Sequence, residues 1–325
     1  MTWARASGGV LVRPARPPIG VDERRLLDAV IAEPDDDGPR LVYADWLISQ
    51  RDPLLAARGE FIVVQCALEA AADDVAEHNR LKARDFELVE RYGSEWCAHV
   101  GMGQVRNNRW DVPLYEADFR RGFIETASLW MNEFPGVAGQ LFTHEPVRRL
   151  VLVGYDDTVF ERLPTSVFLR SLTGLVLRPS ETYWNFIGHV NRGRVDIALP
   201  PAAVAALASS PHVANLTELA IEGARIGDRG AEAIARSTTL AGVRQLSLRG
   251  NELTGAGVFA LVSAPLASRL ETLVLDGNPL DDAAVAELVR APLPNLRRLS
   301  LLANGIGHLA RDRLAKRFGA ALTLA

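Results

Sequence analysis

The stretch Val243-Arg-Gln-Leu246-Ser-Leu248, followed three residues later by Asn251, recurs along the C-terminal half of the chain. Its apolar spacing, LxxLxL, starts again at Leu216, Leu270 and Leu296, so the period is 26–27 residues. Internal repeats with periods of about 20–50 residues are typical of solenoids, in which each unit buries its apolar face against its neighbours. Weaker copies begin upstream at Ile124, Val147 and Leu172.

Each repeat predicts one strand and one helix. The alternation Leu-x-Leu places apolar side chains on one face of a short strand. The residues that follow have the three- and four-residue apolar spacing of a helix face, and Thr254 and Asp281 are the expected N-caps. The Asn side chain can satisfy buried backbone groups where the chain leaves the strand. Ala224 replaces Asn in one copy and predicts a gap in the row of amides.

This combination of spacing and residue types resembles the leucine-rich repeat, and its period is similar to that of the ribonuclease-inhibitor-like class. The resemblance implies an α/β solenoid, a leucine-rich-repeat horseshoe with a parallel sheet on the concave side and helices on the convex side. We expect this domain over residues 119–325, with about seven units. Leu172 and Leu216 are 44 residues apart instead of about 27, which predicts an insertion at residues 179–199.

The chain before the repeats has a helical spacing of apolar residues and no LxxLxL. We expect a flexible tail over residues 1–20 and a small all-α domain over residues 21–118. The stretches Leu26–Leu47 and Arg58–Cys66 resemble the bacterial repeat-companion domain, and Phe119–Glu125 resembles the junction where such proteins enter their repeats. This family has no assigned reaction or ligand, so the resemblance implies an architecture and leaves the function open.

Two details of the N-terminal helices can be predicted from the residues. A helix is expected from Val75 to Tyr92, with Phe86 on its buried face. Asp45 is expected to form a structural ion pair with Arg40 or Arg58.

Composition and charge exclude several classes of protein. Hydrophobic residues make up 48 % of the 325 residues, which excludes a mostly disordered chain. No apolar run reaches the ~18 residues of a membrane-spanning helix. The apolar run Val10–Val12 is too short for a secretory signal, so we expect a cytoplasmic protein. The formal net charge is −4, which argues against nucleic-acid binding; that alternative stays open through Arg106, Arg109, Arg120 and Arg121.

The residues contain no catalytic or metal-binding motif, so we expect no enzymatic activity, no metal and no cofactor. The two cysteines lack CxxC spacing, and the six histidines form no HExxH motif. Cys97, close to Glu95 and His99, is the one conceivable nucleophile. The alternative to a binding protein is therefore an enzyme or enzyme subunit with a site between the helical domain and the first repeats, around Glu95–Trp110.

The outward positions of LxxLxL define the surface that the predicted sheet offers to a partner. Its middle row is small or apolar, whereas its outer rows mix arginine, acidic residues and a tryptophan. This composition suits a protein partner, because Trp and Arg are common anchors of protein interfaces. The alternative for Arg249 and Asp276 is that they pair with neighbours across the strands and solvate the sheet.

We therefore expect a non-catalytic interaction or scaffold protein that binds another protein through the concave face and the insertion. Seven strands of five residues cover roughly 490 Å², less than the ~800 Å² per partner of a stable interface. A tight partner must then also contact the insertion or the helical domain, and whether the insertion binds or only packs stays open. The predicted partner-binding residues are Trp130, Arg149, Arg178, Tyr183, Trp184, Phe186, Glu222, Arg249, Asp276 and Arg298.

Overall fold

The computed structural model describes residues 4–5, 11–12, 20–71, 73–102, 116–179 and 198–324. The chain divides into two compact units. Unit 1 comprises Met1–Leu129 and Glu133–Arg148, and unit 2 comprises Trp130–Asn132 and Arg149–Ala325. The units are defined by packing, whereas the domain boundary expected at residue 119 marks the start of the repeat pattern and stays a prediction. In the described residues, no helix is long and apolar enough to cross a membrane.

Unit 1 contains five helices and two antiparallel strand pairs among the residues described. The helices are α1 (Val21–Ala32), α2 (Asp37–Ser49), α3 (Pro53–Ala70), α4 (Val75–His99) and α5 (Phe134–His144). The strands are β1 (Ala4–Arg5) with β2 (Leu11–Val12), and β3 (Glu116–Arg120) with β4 (Phe123–Trp130). The expected N-terminal helical region is therefore present.

Aspartate side chains begin three of these helices, since each accepts hydrogen bonds from N–H groups that the first turn leaves without partners. They are Asp36, Asp52 and Asp74. The helix expected from Val75 continues to His99, beyond the predicted end at Tyr92. The prediction that Phe86 is buried was wrong, because this side chain is 66 % exposed.

Two buried arginines connect the helices of unit 1 to the β3–β4 hairpin and its surroundings. Arg40 is fully buried, and its Nη2 donates to Glu125 Oε1 at 2.7 Å. Arg58 Nη2 lies 2.9 and 3.0 Å from the two carboxylate oxygens of Glu145. The predicted pairing of Asp45 with either arginine was wrong. Asp45 is exposed on α2, so the carboxylates that neutralise these arginines come from residues far along the chain.

The hairpin turn between β3 and β4 requires an unusual backbone. Its two central residues, Arg121 and Gly122, have φ values of 49° and 81°, as a type I′ turn demands. A Cβ atom on Gly122 would lie 2.3 Å from a side-chain carbon of Ile62 on α3. The Gly122 N–H donates to Gln65 Oε1 at 2.6 Å. Only glycine fits here, because the turn presses directly against the helix.

Unit 2 alternates strands with helices. Its strands are β5 (Arg149–Val153), β6 (Gly174–Arg178), β7 (Glu218–Ile221), β8 (Gln245–Ser247), β9 (Thr272–Val274), β10 (Arg298–Ser300) and β11 (Leu322–Thr323). Its helices are α6 (Asp157–Arg162), α7 (Pro201–Ser209), α8 (Gly227–Ala235), α9 (Gly255–Val262), α10 (Asp282–Arg290) and α11 (His308–Phe318). The strands pair in parallel and in chain order.

The predicted register of the repeats is confirmed. Equivalent leucines lie opposite one another on neighbouring strands, in the row Leu150, Leu175, Leu219, Leu246, Leu273 and Leu299. These side chains are at most 2 % exposed. These leucines pack against the apolar faces of the helices. For example, Leu219 and Ile221 of β7 line one small cavity together with Leu207 of α7 and Ile234 of α8. In-register parallel strands with helices on the leucine side are the arrangement of an α/β solenoid.

Buried asparagine amides connect consecutive repeats. Asn278 Oδ1 accepts from the N–H groups of Asn251 and Leu253, at 2.9 and 3.0 Å. Its Nδ2 donates to the carbonyls of Leu248 and Leu275, at 3.0 and 2.9 Å. Asn251 repeats the pattern one unit earlier and accepts from the Ala224 N–H at 3.1 Å. The row of amides ends at Ala224, whose side chain has no amide.

A tyrosine takes the asparagine position in the repeat of β5. Tyr155 lies three residues after Leu152, as Asn251 does after Leu248. Its hydroxyl lies 2.6 Å from the carbonyl oxygen of Glu222 and 2.9 Å from that of Leu177. The single proton can be donated to only one of them at a time. Burial raises the pKa of this phenol, so it stays protonated as a donor.

In the repeats of β5, β7, β8, β9 and β10, the residue before the asparagine position adopts left-handed backbone. Gly154, Gly223, Gly250 and Gly277 have φ between 61° and 72°. The last repeat has Ala303 at this position, with a φ of 53°. An L-residue in this conformation costs about 1–2 kcal/mol relative to right-handed backbone, whereas glycine adopts both readily.

We predict that Asn278→Ala lowers the free energy of unfolding by about 2–4 kcal/mol, because it leaves several buried backbone groups without partners. Asn304→Ala is the matched control. Among the described residues, its amide donates only to the carbonyls of Leu275 and Leu302, and its Oδ1 has no partner. We expect the control to cost about 1 kcal/mol. Urea unfolding measures both, and equal losses would contradict a special role for the buried amide.

We predict that Ala303→Gly raises the free energy of unfolding by about 0.5–1 kcal/mol, since it removes the left-handed strain. The helical Ala286→Gly serves as control and should lower the same quantity by about 0.5–1 kcal/mol. A loss of stability in Ala303→Gly, measured by urea or thermal unfolding, would show that this backbone carries no strain.

Candidate functional site

The face of the unit 2 sheet that points away from the leucine layer carries the candidate site. We call it the helix-free face, since the described helices of unit 2 pack on the leucine side. Alternation along a strand puts the residues between the leucines on this face. In the order of the strands β5 to β10, its first row is Arg149, Gly174, Glu218, Gln245, Thr272 and Arg298. Its middle row is Val151, Val176, Ala220, Ser247, Val274 and Ser300. Glu222, Arg249, Asp276 and Leu302 follow the strands and form the third row.

The part of the helix-free face on β5, β6 and β7 is closed. Val151, Val176 and Ala220 form an apolar cluster, and their side chains are only 4–7 % exposed. Val153 packs against the same cluster. This part therefore offers little apolar surface to a partner.

An ion pair spans the first row of the closed part. Arg149 Nε and Nη2 donate to the two carboxylate oxygens of Glu218, each at 2.7 Å. The two residues lie on strands that are not neighbours, and Gly174 on the strand between them leaves room for the contact. A Cβ atom on Gly174 would lie 2.9 Å from both Arg149 Cγ and Glu218 Oε2. The Glu218 carboxylate raises the pKa of Arg149, so the pair is charged at neutral pH.

The part on β8, β9 and β10 is more open. Gln245, Arg249 and Arg298 are exposed, and Thr272 and Val274 are half-buried. Asp276 accepts from the Leu302 N–H at 2.8 Å, and Glu222 accepts from Ser247 Oγ at 2.5 Å. Both carboxylates are thus held by neighbouring groups of the sheet.

Arg249 and Arg298 form neither an ion pair nor a hydrogen bond through their side chains with any other described residue. The predicted alternative, that Arg249 and Asp276 pair with neighbours across the strands, therefore holds for Asp276, which accepts from the Leu302 N–H, and not for Arg249 among the described residues. Two exposed guanidinium groups on one sheet face remain available to a partner.

Two of the remaining predicted site residues are described, and three are not. Trp130 is half-buried, and its ring lies 2.8 Å from the place that a Cβ atom of Gly154 would take. Arg178 is half-buried. Tyr183, Trp184 and Phe186, with most of the 179–199 insertion, lie outside the described residues. The binding role of all ten predicted residues stays a prediction.

The pairing of Arg149 with Glu218 over Gly174 was not predicted from the sequence. A signal for it exists, since a basic residue, a glycine and an acidic residue occupy consecutive first-row positions. The repeat spacing placed Gln245 and Thr272 on this face but not among the predicted partner-binding residues, because periodicity gives the face of a side chain but not its exposure.

The alternative site around Glu95–Trp110 is described only up to Met102, and its one candidate nucleophile is Cys97. Burial raises the pKa of Cys97 to about 11, although the positive charge of Arg58 opposes this shift. Burial also raises the pKa of Cys66, to about 12. Thiolates are the nucleophilic form of cysteine, so neither residue is activated at neutral pH. Within the described residues, no group of three His, Cys, Asp or Glu side chains could hold a metal ion.

The arginines proposed for nucleic-acid binding are only partly described. Arg106 and Arg109 lie outside the described residues. Arg120 and Arg121 each donate to one oxygen of Glu69, at 2.9 Å. Their charges are therefore shared with a carboxylate of the same unit.

Sequence comparison supports the prediction of leucine-rich repeats in unit 2. The family model described as "Leucine Rich repeat" matches residues 214–235 and 243–262. These segments hold β7 with α8 and β8 with α9, which flank the boundary between the closed and open parts. Leucine-rich repeats generally mediate protein–protein interaction, and the family is typically non-catalytic. A search of functionally curated proteins returned no match to the chain.

We predict that Gly174→Ala lowers the free energy of unfolding by about 1–2 kcal/mol, because the added methyl group displaces the Arg149–Glu218 pair. In an Arg149→Ala/Glu218→Ala background the same substitution should be neutral or slightly stabilising, since alanine suits a strand better than glycine. Urea unfolding of the four variants tests this, and an equal cost in both backgrounds would contradict the steric argument.

We predict that iodoacetamide at pH 7.5 alkylates Cys97 in the native chain at least about a hundredfold more slowly than a free cysteine. The reason is the raised pKa, which leaves almost no thiolate at this pH. Mass spectrometry of native and urea-unfolded samples measures the two rates. Rapid, selective labelling of native Cys97 would instead favour the enzyme alternative.

Proposed function

We propose that this chain is a non-catalytic protein-interaction or scaffold protein whose partner docks on the open part of the helix-free face. The observation that carries the proposal is the state of Arg249 and Arg298. Both side chains are exposed and have no partner among the described residues, whereas Arg149 on the same face is held by Glu218. Arginine is a frequent anchor of protein interfaces because its planar group makes several directed contacts.

We also propose the curvature, the number of repeat units and the domain bounds, which follow from the repeat pattern and the resemblance of the N-terminal helices. We infer that the solenoid curves into a horseshoe of about seven units, with the helix-free face on its concave side. We also propose that residues 21–118 are a repeat-companion domain and that residues 119–325 are the repeat domain. The first is supported by the resemblance of Leu26–Leu47 and Arg58–Cys66, and the second by the in-register strands.

The size of the open part limits the affinity that it alone supplies. Three strands about 4.8 Å apart, with five residues each, cover about 160 Å². A standard stable interface buries about 800 Å² per partner. A partner that binds tightly must therefore contact further surface, for which the 179–199 insertion with Tyr183, Trp184 and Phe186 stays our expectation.

Affinity purification from the native cell tests the proposal. We predict that proteins captured by the wild-type chain are lost from an Arg249→Glu/Arg298→Glu variant, because charge reversal removes both anchors. With a purified partner, the Kd should rise at least about tenfold. Quantitative mass spectrometry and a binding titration are the measurements.

The matched control is Arg229→Glu/Arg313→Glu. These arginines lie exposed on α8 and α11 and have no side-chain partner among the described residues, so the control makes the same change of charge on the helices. It should capture the wild-type set of proteins. Equal urea midpoints show that all variants fold. If the two double variants capture the same set, the helix-free face is not the docking surface.

A further inference from the structure

The entry side of strands β8, β9 and β10 carries an excess of positive charge. Four arginines lie at or just before the first residues of these strands, against one glutamate, so the local net charge is three positive. We call this set the basic rim: Arg244, Arg269, Arg297 and Arg298, together with Glu271.

Glu271 is the carboxylate of the rim, and two arginines share it. Arg244 Nη1 lies 3.2 Å from Glu271 Oε1, and Arg297 Nη1 lies 3.7 Å from Oε2. The side chains of Arg244 and Arg297 remain 59 % and 82 % exposed. Arg269 donates to the carbonyl of Ala241 at 2.6 Å, which orients it without neutralising its charge. Arg298 has no partner among the described residues.

The exit side of the same strands has no such excess, because Arg249 and Asp276 cancel there, and Glu222 follows the neighbouring strand β7. There Glu222 and Asp276 lie on either side of Arg249 in the third row. Four residues of strand separate the first row from the third, so about 13 Å lie between the two ends. This exceeds the screening distance of about 8 Å at physiological salt, and the two ends therefore present separate fields to a bound molecule.

We propose that the basic rim binds a short acidic segment of the partner protein, a proposal that rests on the docking function proposed above. A cluster of carboxylates complements the rim, and Arg298 is the group free to form new charge-assisted contacts. A segment only a few residues long fits on the rim without reaching the carboxylates at the exit side. A nucleic acid carries one charge at every phosphate. If it extended from the rim towards the exit side of the sheet, its phosphates would meet the carboxylates of Glu222 and Asp276.

Fluorescence anisotropy with labelled probes tests the proposal on the 325-residue chain at physiological salt, about 150 mM. The probes are a hexaglutamate peptide, a hexaglutamine peptide and a dodecathymidylate oligonucleotide. We expect hexaglutamate to bind more tightly than both other probes. Arg297→Glu/Arg298→Glu should weaken this binding at least about tenfold, because it replaces two positive charges of the rim by two negative ones.

Arg229→Glu/Arg313→Glu is again the control and should leave the hexaglutamate Kd within about twofold, since neither residue lies on the rim. Equal urea midpoints establish that both variants fold. The proposal is overturned if hexaglutamate does not bind, if both double variants weaken it equally, or if the oligonucleotide binds more tightly.

The failure of this proposal can be told apart from a failure of the docking function. Loss of captured proteins in Arg249→Glu/Arg298→Glu without hexaglutamate binding leaves the docking surface in place and rejects only an acidic partner segment. Rim-dependent hexaglutamate binding without any such loss supports the rim chemistry and rejects the helix-free face as the docking surface in the cell.

Discussion

Backbone that leaves a buried strand must find partners for its N–H and C=O groups, because water does not reach them. In unit 2 the amides of Asn251 and Asn278 supply those partners to the repeat before their own. Each amide both accepts and donates, so it constrains the distance and the register between two turns of the chain. A slip of one residue would leave several buried groups unsatisfied and would turn the leucines away from the helices. The rows of the helix-free face depend on this register.

The two units differ in whether their arginines form ion pairs, and this difference identifies the candidate site. In unit 1, Arg40 and Arg58 are buried and held by Glu125 and Glu145, which are themselves buried. Such pairs specify one arrangement of the helices and the hairpin, since removing one partner leaves an uncompensated buried charge. On the helix-free face the pairing stops after Arg149 and Glu218, and the arginines of the later strands stay exposed. Charged side chains that form no ion pair within the protein can form one with a partner, so this surface offers the most favourable electrostatic contacts.

Two glycines control how closely these charged and turning segments approach their neighbours. Gly122 lets the hairpin turn touch α3, and Gly174 leaves the space through which Arg149 reaches Glu218. In both places the absence of a side chain allows a contact between residues that are far apart in the sequence. The Arg149–Glu218 ion pair on the closed part of the sheet therefore depends on Gly174, which is not a member of the pair.

The amino-acid sequence alone determined the strands, their register, the leucine layer and the caps at Thr254 and Asp281, because these follow from local spacing that repeats every 26–27 residues. It also predicted which side chains point away from the helices. Tertiary structure alone decided which of them are exposed and which charges pair. The partners of Arg40 and Arg58 lie 85 and 87 residues away, and Phe86 is exposed although its spacing predicted burial. Periodicity describes one element at a time, whereas ion pairing and exposure depend on which distant elements pack together.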